Sequence, residues 1–148
     1  MFEGNFVTLK HHRPGGNDLC RRCLRVTKLP FPVSHDRVLA VEAKLGRCLP
    51  AQYSARVVRD NGGEIRALGD NWRLHPVWDP STKKTIKRTA FDLIKETESA
   101  TRCYGFPPDA LALASDDYGN YLISRSTDDT IEFWDHETGK CQPVEVIW

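Results

Sequence analysis

The order of apolar and polar residues between Ser34 and Gly46 is that of an amphipathic helix. Val38, Leu39, Glu42 and Leu45 recur at spacings that share one helical face, with Val41 beside them. Ser34 is a preferred residue at helix N-termini, and Gly46 is a common stop signal. The pattern predicts a helix of about three turns.

A second helical pattern follows the Leu49-Pro50 step. The apolar residues Tyr53, Val57 and Val58 share one face. Pro50 suits a first helical turn, because its missing N–H would be unpaired there anyway. The segment ends at Asn61-Gly62-Gly63. A second amphipathic helix is therefore predicted between these two signals.

A longer helical pattern runs through TIKRTAFDLIKETESATRCYG, from Thr85 to Gly105. Its apolar stripe consists of Ile86, Ala90, Phe91 and Ile94, with charged residues between them. Gly105 and the following Pro107-Pro108 close the segment. One continuous third helix is predicted.

The shorter period of β-strands occurs between and after these helices. Two short patterns, Glu64 to Leu68 and Trp72 to Trp78, flank the turn residues Gly69-Asp70-Asn71. Four more follow at Ala110 to Ala114, Tyr121 to Arg125, Ile131 to Trp134 and Val144 to Trp148. Helices first and a strand meander afterwards indicate an α+β fold, with an antiparallel or mixed sheet of about five or six strands packed by three main helices.

Residues 1–30 stand apart from this plan. Their apolar residues are numerous enough to pack, and a turn at Arg13 to Asp18 leaves both a hairpin and a strand with a short helix open. We predict an N-terminal extension over residues 1–30, packed on a main domain over residues 31–148.

Composition narrows the class of protein. The chain has 148 residues, 40% of them hydrophobic, and a formal net charge of +1. Binding to nucleic acid phosphates usually requires a clear basic surplus, so direct nucleic acid binding is not expected. No signal peptide pattern and no span-length apolar run is visible. We therefore predict a cytoplasmic protein without a membrane partner, whose oligomeric state the sequence leaves open.

Several short motifs occur in an order that is specific as a set. Near the helices they are E-x-x-L-G, L-P-x-x-Y and N-G-G, carried by Glu42, Gly46, Leu49, Pro50, Tyr53, Asn61, Gly62 and Gly63. Among the strands they are A-x-D-x-x-G-N and D-H-E, carried by Gly119, Asn120, Asp135 and His136 among others. In this order the chain resembles the SUKH superfamily, the Smi/Knr-like domain, over about Phe31 to Trp148.

The resemblance implies interaction without catalysis. Bacterial members look like immunity proteins that bind and neutralise toxin domains, often nucleases, whereas eukaryotic members look like regulatory scaffolds. The expected function is therefore a non-enzymatic, bacterial immunity protein with a toxin domain as partner. The alternative is an intracellular regulatory scaffold or small-ligand-binding protein without a toxin partner.

Acidic residues gather near the C-terminal strands and offer a surface for a basic partner. The predicted contact residues are Asp116, Asp117, Asp128, Asp129, Glu132, Glu137 and the aromatic Trp134. Other candidate aromatic anchors are Trp72, Trp78, Tyr118 and Tyr121, since such residues dominate interface energies. Loop aspartates are also common in turns for purely structural reasons.

No residue set is predicted to be catalytic or to bind a metal or cofactor. Asp135-His136-Glu137 follows an apolar strand and precedes Thr138-Gly139, which indicates a hairpin turn. Cys20 and Cys23, with His11 and His12 upstream, match no common zinc spacing. A cysteine pair on an ordinary amphipathic segment is the favoured interpretation, with zinc binding left open.

Overall fold

A computed structural model describes residues 31–125 and 129–148. The predicted extension over residues 1–30, with Cys20 and Cys23, lies outside the described residues. The described helices are α1 (His35–Leu45), α2 (Ala51–Arg59), α3 (Lys83–Arg88) and α4 (Leu93–Ala100). The strands are β1 (Glu64–Ala67), β2 (Asp70–Leu74), β3 (Leu111–Ser115), β4 (Tyr121–Ser124), β5 (Glu132–Trp134), β6 (Cys141–Pro143) and β7 (Val146–Ile147).

The first two helices follow the predicted pattern closely. In α1, Val38 and Val41 are buried, whereas Leu39 is exposed and does not belong to the apolar face. In α2, Tyr53 and Val57 are fully buried. Gly46 ends α1 with a φ of 69°, a left-handed conformation that glycine adopts without steric cost.

The predicted third helix is two helices in the structure. Asp92 has an extended backbone, and its carboxylate accepts hydrogen bonds from the backbone N–H groups of Ile94 and Lys95 at 3.0 and 3.3 Å. A residue in this N-cap geometry begins a helix and cannot continue a preceding one. The capping aspartate therefore overrides the apolar periodicity. As a result, Phe91 lies between the two helices and is 73% exposed.

The described residues confirm the predicted α+β class and form a sheet of seven strands in the order β6-β5-β4-β3-β2-β1-β7. All its neighbouring pairs are antiparallel. The final predicted strand, Val144 to Trp148, is instead the two-residue β7. The preceding β6 covers Cys141–Pro143, for which no strand was predicted.

The sheet is strongly curled, because β6 and β7 form its two opposite edges although only Val144 and Glu145 separate them in the chain. Three residue steps reach at most about 10 Å. A flat seven-stranded sheet would place its edge strands about 29 Å apart. The two edges must therefore approach each other around the concave face.

Two hydrophobic clusters lie on opposite faces of this sheet. Leu122 and Ile123 are neighbours in β4, so their side chains point to opposite faces. Leu122 belongs to the larger cluster with Tyr53 and Val57 of α2, and Ile123 to a smaller one with Phe106 and Trp134. Burial on both faces explains why β3, with the sequence LALAS, is apolar almost throughout.

Candidate functional site

The helix-side motif residues bind neighbouring backbone groups. The Glu42 carboxylate accepts the N–H of Leu49 at 2.8 Å and thereby closes the turn between α1 and α2. The Tyr53 hydroxyl donates to the carbonyl of His75 at 2.7 Å, and burial raises the pKa of this phenol. These contacts tie α1 and α2 to each other and to the segment after β2.

The N-G-G motif forms the connection from α2 to β1. The Arg56 side chain is buried and donates to the backbone carbonyls of Asp60, Gly62 and Glu64. Burial is the largest cause that lowers the pKa of Arg56, and the charge of Asp60 opposes it. The guanidinium therefore satisfies three backbone carbonyls of this connection.

The two C-terminal motifs meet through one asparagine. The Asn120 amide donates from Nδ2 to Asp116 at 2.8 Å, and its Oδ1 accepts the backbone N–H of His136 at 3.1 Å. The His136 Nδ1 atom lies 2.8 Å from the same Oδ1. The loop after β3 and the hairpin after β5 are thus joined into one braced unit.

Each of these loops is also closed internally by an aspartate. Asp116 accepts the backbone N–H groups of Tyr118 and Asn120, both at 2.9 Å. Asp135 accepts the N–H of Glu137 at 2.9 Å, and this hydrogen bond is the main cause that lowers the pKa of Asp135. Both aspartates therefore order their loops.

Replacing Gly119 with alanine is expected to lower the free energy of unfolding by about 1 kcal/mol. Gly119 has a φ of 95°, which residues with a β-carbon rarely adopt, although an added Cβ would meet only the His136 ring at 3.6 Å. The cost is therefore in the backbone. Urea unfolding measures it, with Asp117→Ala in the same loop as a control expected within about 0.5 kcal/mol of the parent. Equal midpoints for Gly119→Ala and the parent would contradict this assignment.

The predicted acidic contact residues divide into two groups. Asp129 accepts the N–H of Ala51 at 2.7 Å and so binds the first residue of α2, and Glu132 forms a two-point ion pair with Arg125 at 2.6 and 2.8 Å. Asp128 lies outside the described residues. Asp117 and Glu137 remain exposed at the loops, with Asp117 3.4 Å from Arg73.

Trp134, predicted to contact a partner, is not exposed in this structure. Its side chain is fully buried, packs edge-on against Phe106 at 5.2 Å between ring centroids, and donates Nε1–H to the carbonyl of Gly105 at 3.2 Å. Trp134 is buried because the segment after α4 covers the face of the sheet on which its side chain lies. Of the other candidate anchors, Trp72 is also buried and Tyr118 is exposed.

Exposed groups from three loops meet at one end of the sheet. The bracing contacts join the Gly119 and His136 loops, and Gly105 approaches Gly139 in the same hairpin. Tyr104 is 99% exposed and Tyr118 is 80% exposed. We call this region the loop surface, and it consists of Tyr104, Asp117, Tyr118, His136 and Glu137. Sequence reasoning missed Tyr104, because the helical pattern predicted there gives no sign that the ring is exposed.

A buried histidine, His75, lies beside the hydroxyl of Ser115. His75 is 3% exposed, its Nε2 lies 3.0 Å from the Ser115 hydroxyl, and its Nδ1 lies 2.7 Å from the carbonyl of Ala112. A carbonyl accepts only, so Nδ1 carries the proton and Nε2 accepts from Ser115. Glu96 lies 3.8 Å from Nε2, on the serine side of the ring. A catalytic triad would instead have its carboxylate at Nδ1 to orient the base.

Two surface grooves are large enough for small ligands. One of about 480 Å³ is lined by residues on either side of the sheet's facing edges, including Gln52, Asp129, Pro143 and Val146. The other, of about 390 Å³, lies between α1 and α4 and is lined by Arg37, Lys44, Trp78 and Lys95 among others. Among residues 31–125 and 129–148, no group of three or more His, Cys, Asp or Glu side chains is arranged to hold a metal ion. None of the helices described is long and apolar enough to cross a membrane.

Comparison with known proteins gives one finding. The family model described as SMI1 / KNR4 family (SUKH-1) matches residues 32–146. No curated protein and no solved structure matches the chain. The match covers the whole described fold except its outermost residues, and it confirms the resemblance drawn from the motifs.

Proposed function

The chain belongs to the SMI1 / KNR4 family (SUKH-1), and on that basis we propose that it is a non-enzymatic immunity protein that binds and neutralises a toxin domain in the bacterial cytoplasm. The observation that carries the proposal is the loop surface, where Tyr104 and Tyr118 are almost fully exposed beside two acidic residues. Exposed tyrosines have no use in the fold, whereas tyrosine is enriched among residues that dominate binding energies.

The rigidity of the loop surface supports a binding role. Asp116, Asn120 and Asp135 hold the loops by hydrogen bonds of 2.8 to 2.9 Å to side chains and backbone. Loops ordered before association lose less conformational entropy when they bind. The tyrosines also have few rotatable bonds, so each offers a large contact area at a small entropic cost.

The charge of the loop surface indicates the chemistry of the partner. Asp117 and Glu137 are exposed there, and Arg73 is the cation described closest to Asp117. A partner with a basic face would gain complementary contacts and faster association. Nuclease toxin domains bind phosphates and commonly have such faces, in agreement with the toxin class that the family resemblance implies.

Replacing both Tyr104 and Tyr118 with alanine is expected to weaken binding to the cognate toxin domain at least about tenfold, with the free energy of unfolding unchanged within about 0.5 kcal/mol. The toxin encoded beside this protein would be co-expressed with it, and the purified complex measured by calorimetry. Phe91→Ala is a matched control, because Phe91 is exposed on the connection between α3 and α4.

The co-expression experiment also tests the proposal itself. Protection of the cells and a stable complex are the expected outcomes. If the adjacent gene encodes no toxin and no complex forms, the immunity function is wrong. If the complex forms but Phe91→Ala weakens it as much as the tyrosine pair does, the loop surface is not the interface.

A small-ligand-binding function is the second candidate, supported by the groove between α1 and α4. Its volume of about 390 Å³ lies within the range of ligand pockets. The half-buried Trp78 contributes a flat apolar wall, with the Lys95 ammonium 4.9 Å from its ring centroid. If this function is correct, Trp78→Ala would abolish the biological effect, whereas the tyrosine pair would not.

A further inference from the structure

A basic surface lies on α3, outside the loop surface. The helix has the sequence KKTIKR, and all four of its cations are exposed: Lys83, Lys84, Lys87 and Arg88. Thr85 is the residue of α3 that is buried, and it is anchored by hydrogen bonds to Thr82 and Thr89. These hydrogen bonds close the two ends of the short helix, and its buried side faces the domain at Thr85, so the four cations lie on its exposed side.

These cations have no acidic partners among the residues described. No ion pair within 4.0 Å joins them to an acid in residues 31–125 or 129–148, and the guanidinium of Arg88 lies 4.2 Å over the ring of Phe31. The nearest acids along the chain, Asp79 and Asp92, are buried and accept backbone N–H groups of Ser81, Ile94 and Lys95. The positive field of α3 is therefore directed outwards.

Two apolar side chains lie among these cations. Phe91 is 73% exposed and Ile86 is 38% exposed, within the same stretch of nine residues. The α3–α4 break causes the exposure of Phe91, since Asp92 begins a new helix directly after it. Exposed apolar side chains interleaved with lysine and arginine are typical of segments that enter the headgroup region of a bilayer.

The charge distribution along the sequence also bears on what could bind the basic surface of α3. Residues 1–30 contain six Lys and Arg against two Asp and Glu, whereas residues 31–148 contain fifteen against eighteen. The basic excess therefore lies in the segment that immediately precedes Phe31. Like charges repel, so a basic segment is not the electrostatic complement of α3.

We propose that the basic surface of α3, with Phe91 and Ile86, binds an anionic phospholipid surface peripherally. The expectation that the protein has no membrane partner rested on the lack of a spanning segment, which a peripheral contact does not need. Nucleic acid would also attract the cations, and Phe91 would stack on a base. The aliphatic Ile86 gains nothing from stacking but does gain from lipid, so the pair of apolar residues favours the bilayer.

Sedimentation of the full chain with vesicles tests the proposal. The protein is expected to bind vesicles of phosphatidylcholine that contain about 30% phosphatidylserine. It is not expected to bind vesicles of pure phosphatidylcholine. Lys84→Gln with Lys87→Gln should weaken partitioning about 25-fold, at about fivefold per cation. Phe91→Ala should weaken it about tenfold, because a largely exposed ring loses its apolar contact.

Matched controls separate local binding from net charge. Lys44→Gln with Lys140→Gln removes two exposed lysines from elsewhere and is expected to change partitioning less than about twofold. Tyr118→Ala should leave partitioning unchanged. The proposal is overturned if the two lysine pairs weaken partitioning equally. It is also overturned if the protein does not bind the phosphatidylserine vesicles at about 50 mM salt, where electrostatic attraction is only weakly screened. It is also overturned if Phe91→Ala has no effect on vesicles while a single-stranded RNA oligonucleotide binds more tightly.

Discussion

Replacing Asn61 with alanine is expected to lower the free energy of unfolding by about 3 kcal/mol, one of the largest effects of any polar substitution in the domain. The Asn61 side chain is buried and pairs with both backbone groups of Val77. Its Nδ2 donates to the carbonyl and its Oδ1 accepts the N–H, each at 2.8 Å. The amide thus makes the two hydrogen bonds with Val77 that a neighbouring strand would otherwise make.

The expected size follows from what alanine would leave behind. Both backbone groups of Val77 would remain buried without a partner, and each such group costs about 1–3 kcal/mol. The Asn61 backbone also donates to Phe31 at 2.7 Å, a contact that alanine retains. The substitution therefore isolates the side-chain pairing.

Urea unfolding measures the loss of stability in Asn61→Ala against the control variant Asn71→Ala. Asn71 is an exposed residue of β2, and its replacement is expected to change stability by less than about 0.5 kcal/mol. Similar unfolding midpoints for the two variants would show that the N-G-G asparagine does not support the fold as described.

The stability of the protein is expected to fall by about 2 kcal/mol between pH 7.5 and pH 5 because of His75 alone. Burial is the main cause that lowers the pKa of His75 to about 4, and the positive charge of Arg73 acts in the same direction. The hydrogen bond to Ala112 opposes both. At neutral pH the ring is uncharged, so its 3.8 Å contact with Glu96 is not an ion pair.

The sign follows from which state binds the proton. In the unfolded chain the pKa of His75 is about 6.5, so the unfolded state takes up a proton as pH falls through that value, while the folded state does not until pH approaches 4. Stability is therefore lost as pH decreases through this window. Burial raises the pKa of Glu96, which acts in the opposite direction, since the folded state then binds that proton more tightly.

A His75→Gln variant separates the two groups. It retains Glu96 but removes the histidine, so the difference in unfolding free energy between parent and variant should shrink by about 2 kcal/mol from pH 7.5 to pH 5. Chemical denaturation at a series of pH values measures this difference. A difference that grows on acidification would mean that protonated His75 gains more from Glu96 than it loses by burial.

The elements that follow from local pattern were predictable, and those that depend on distant contacts were not. The helices α1 and α2 appear where periodicity and end signals coincide. The prediction of one continuous third helix was wrong because Asp92 fits two roles. It lies on the polar side of the predicted helix and is also a strong N-cap, and periodicity alone does not show which role prevails. A strand was predicted at β7 from its own pattern, but its pairing with β1 is a distant contact that no local signal reports.

In the candidate site, too, local contacts were predictable and distant contacts were not. The tight turn at Asp135 was visible because its hydrogen bond to Glu137 is local. Asp129 and Glu132 looked like free surface acids, but their partners Ala51 and Arg125 lie elsewhere in the chain or across a turn. His75 was missed because its main partners are a backbone carbonyl and a serine far along the sequence.

The pairing of β7 with β1 has a consequence for protein synthesis. Ala67 pairs with Val146, so the two strands leave the ribosome 79 residues apart. Until the later strand emerges, the nascent chain presents the open side of β1, where a passing polypeptide could add a strand. The helices α1 and α2 make local contacts and can form early. Final closure of the domain is therefore a late event, and slow translation before Val146 would prolong the interval in which chaperones are needed.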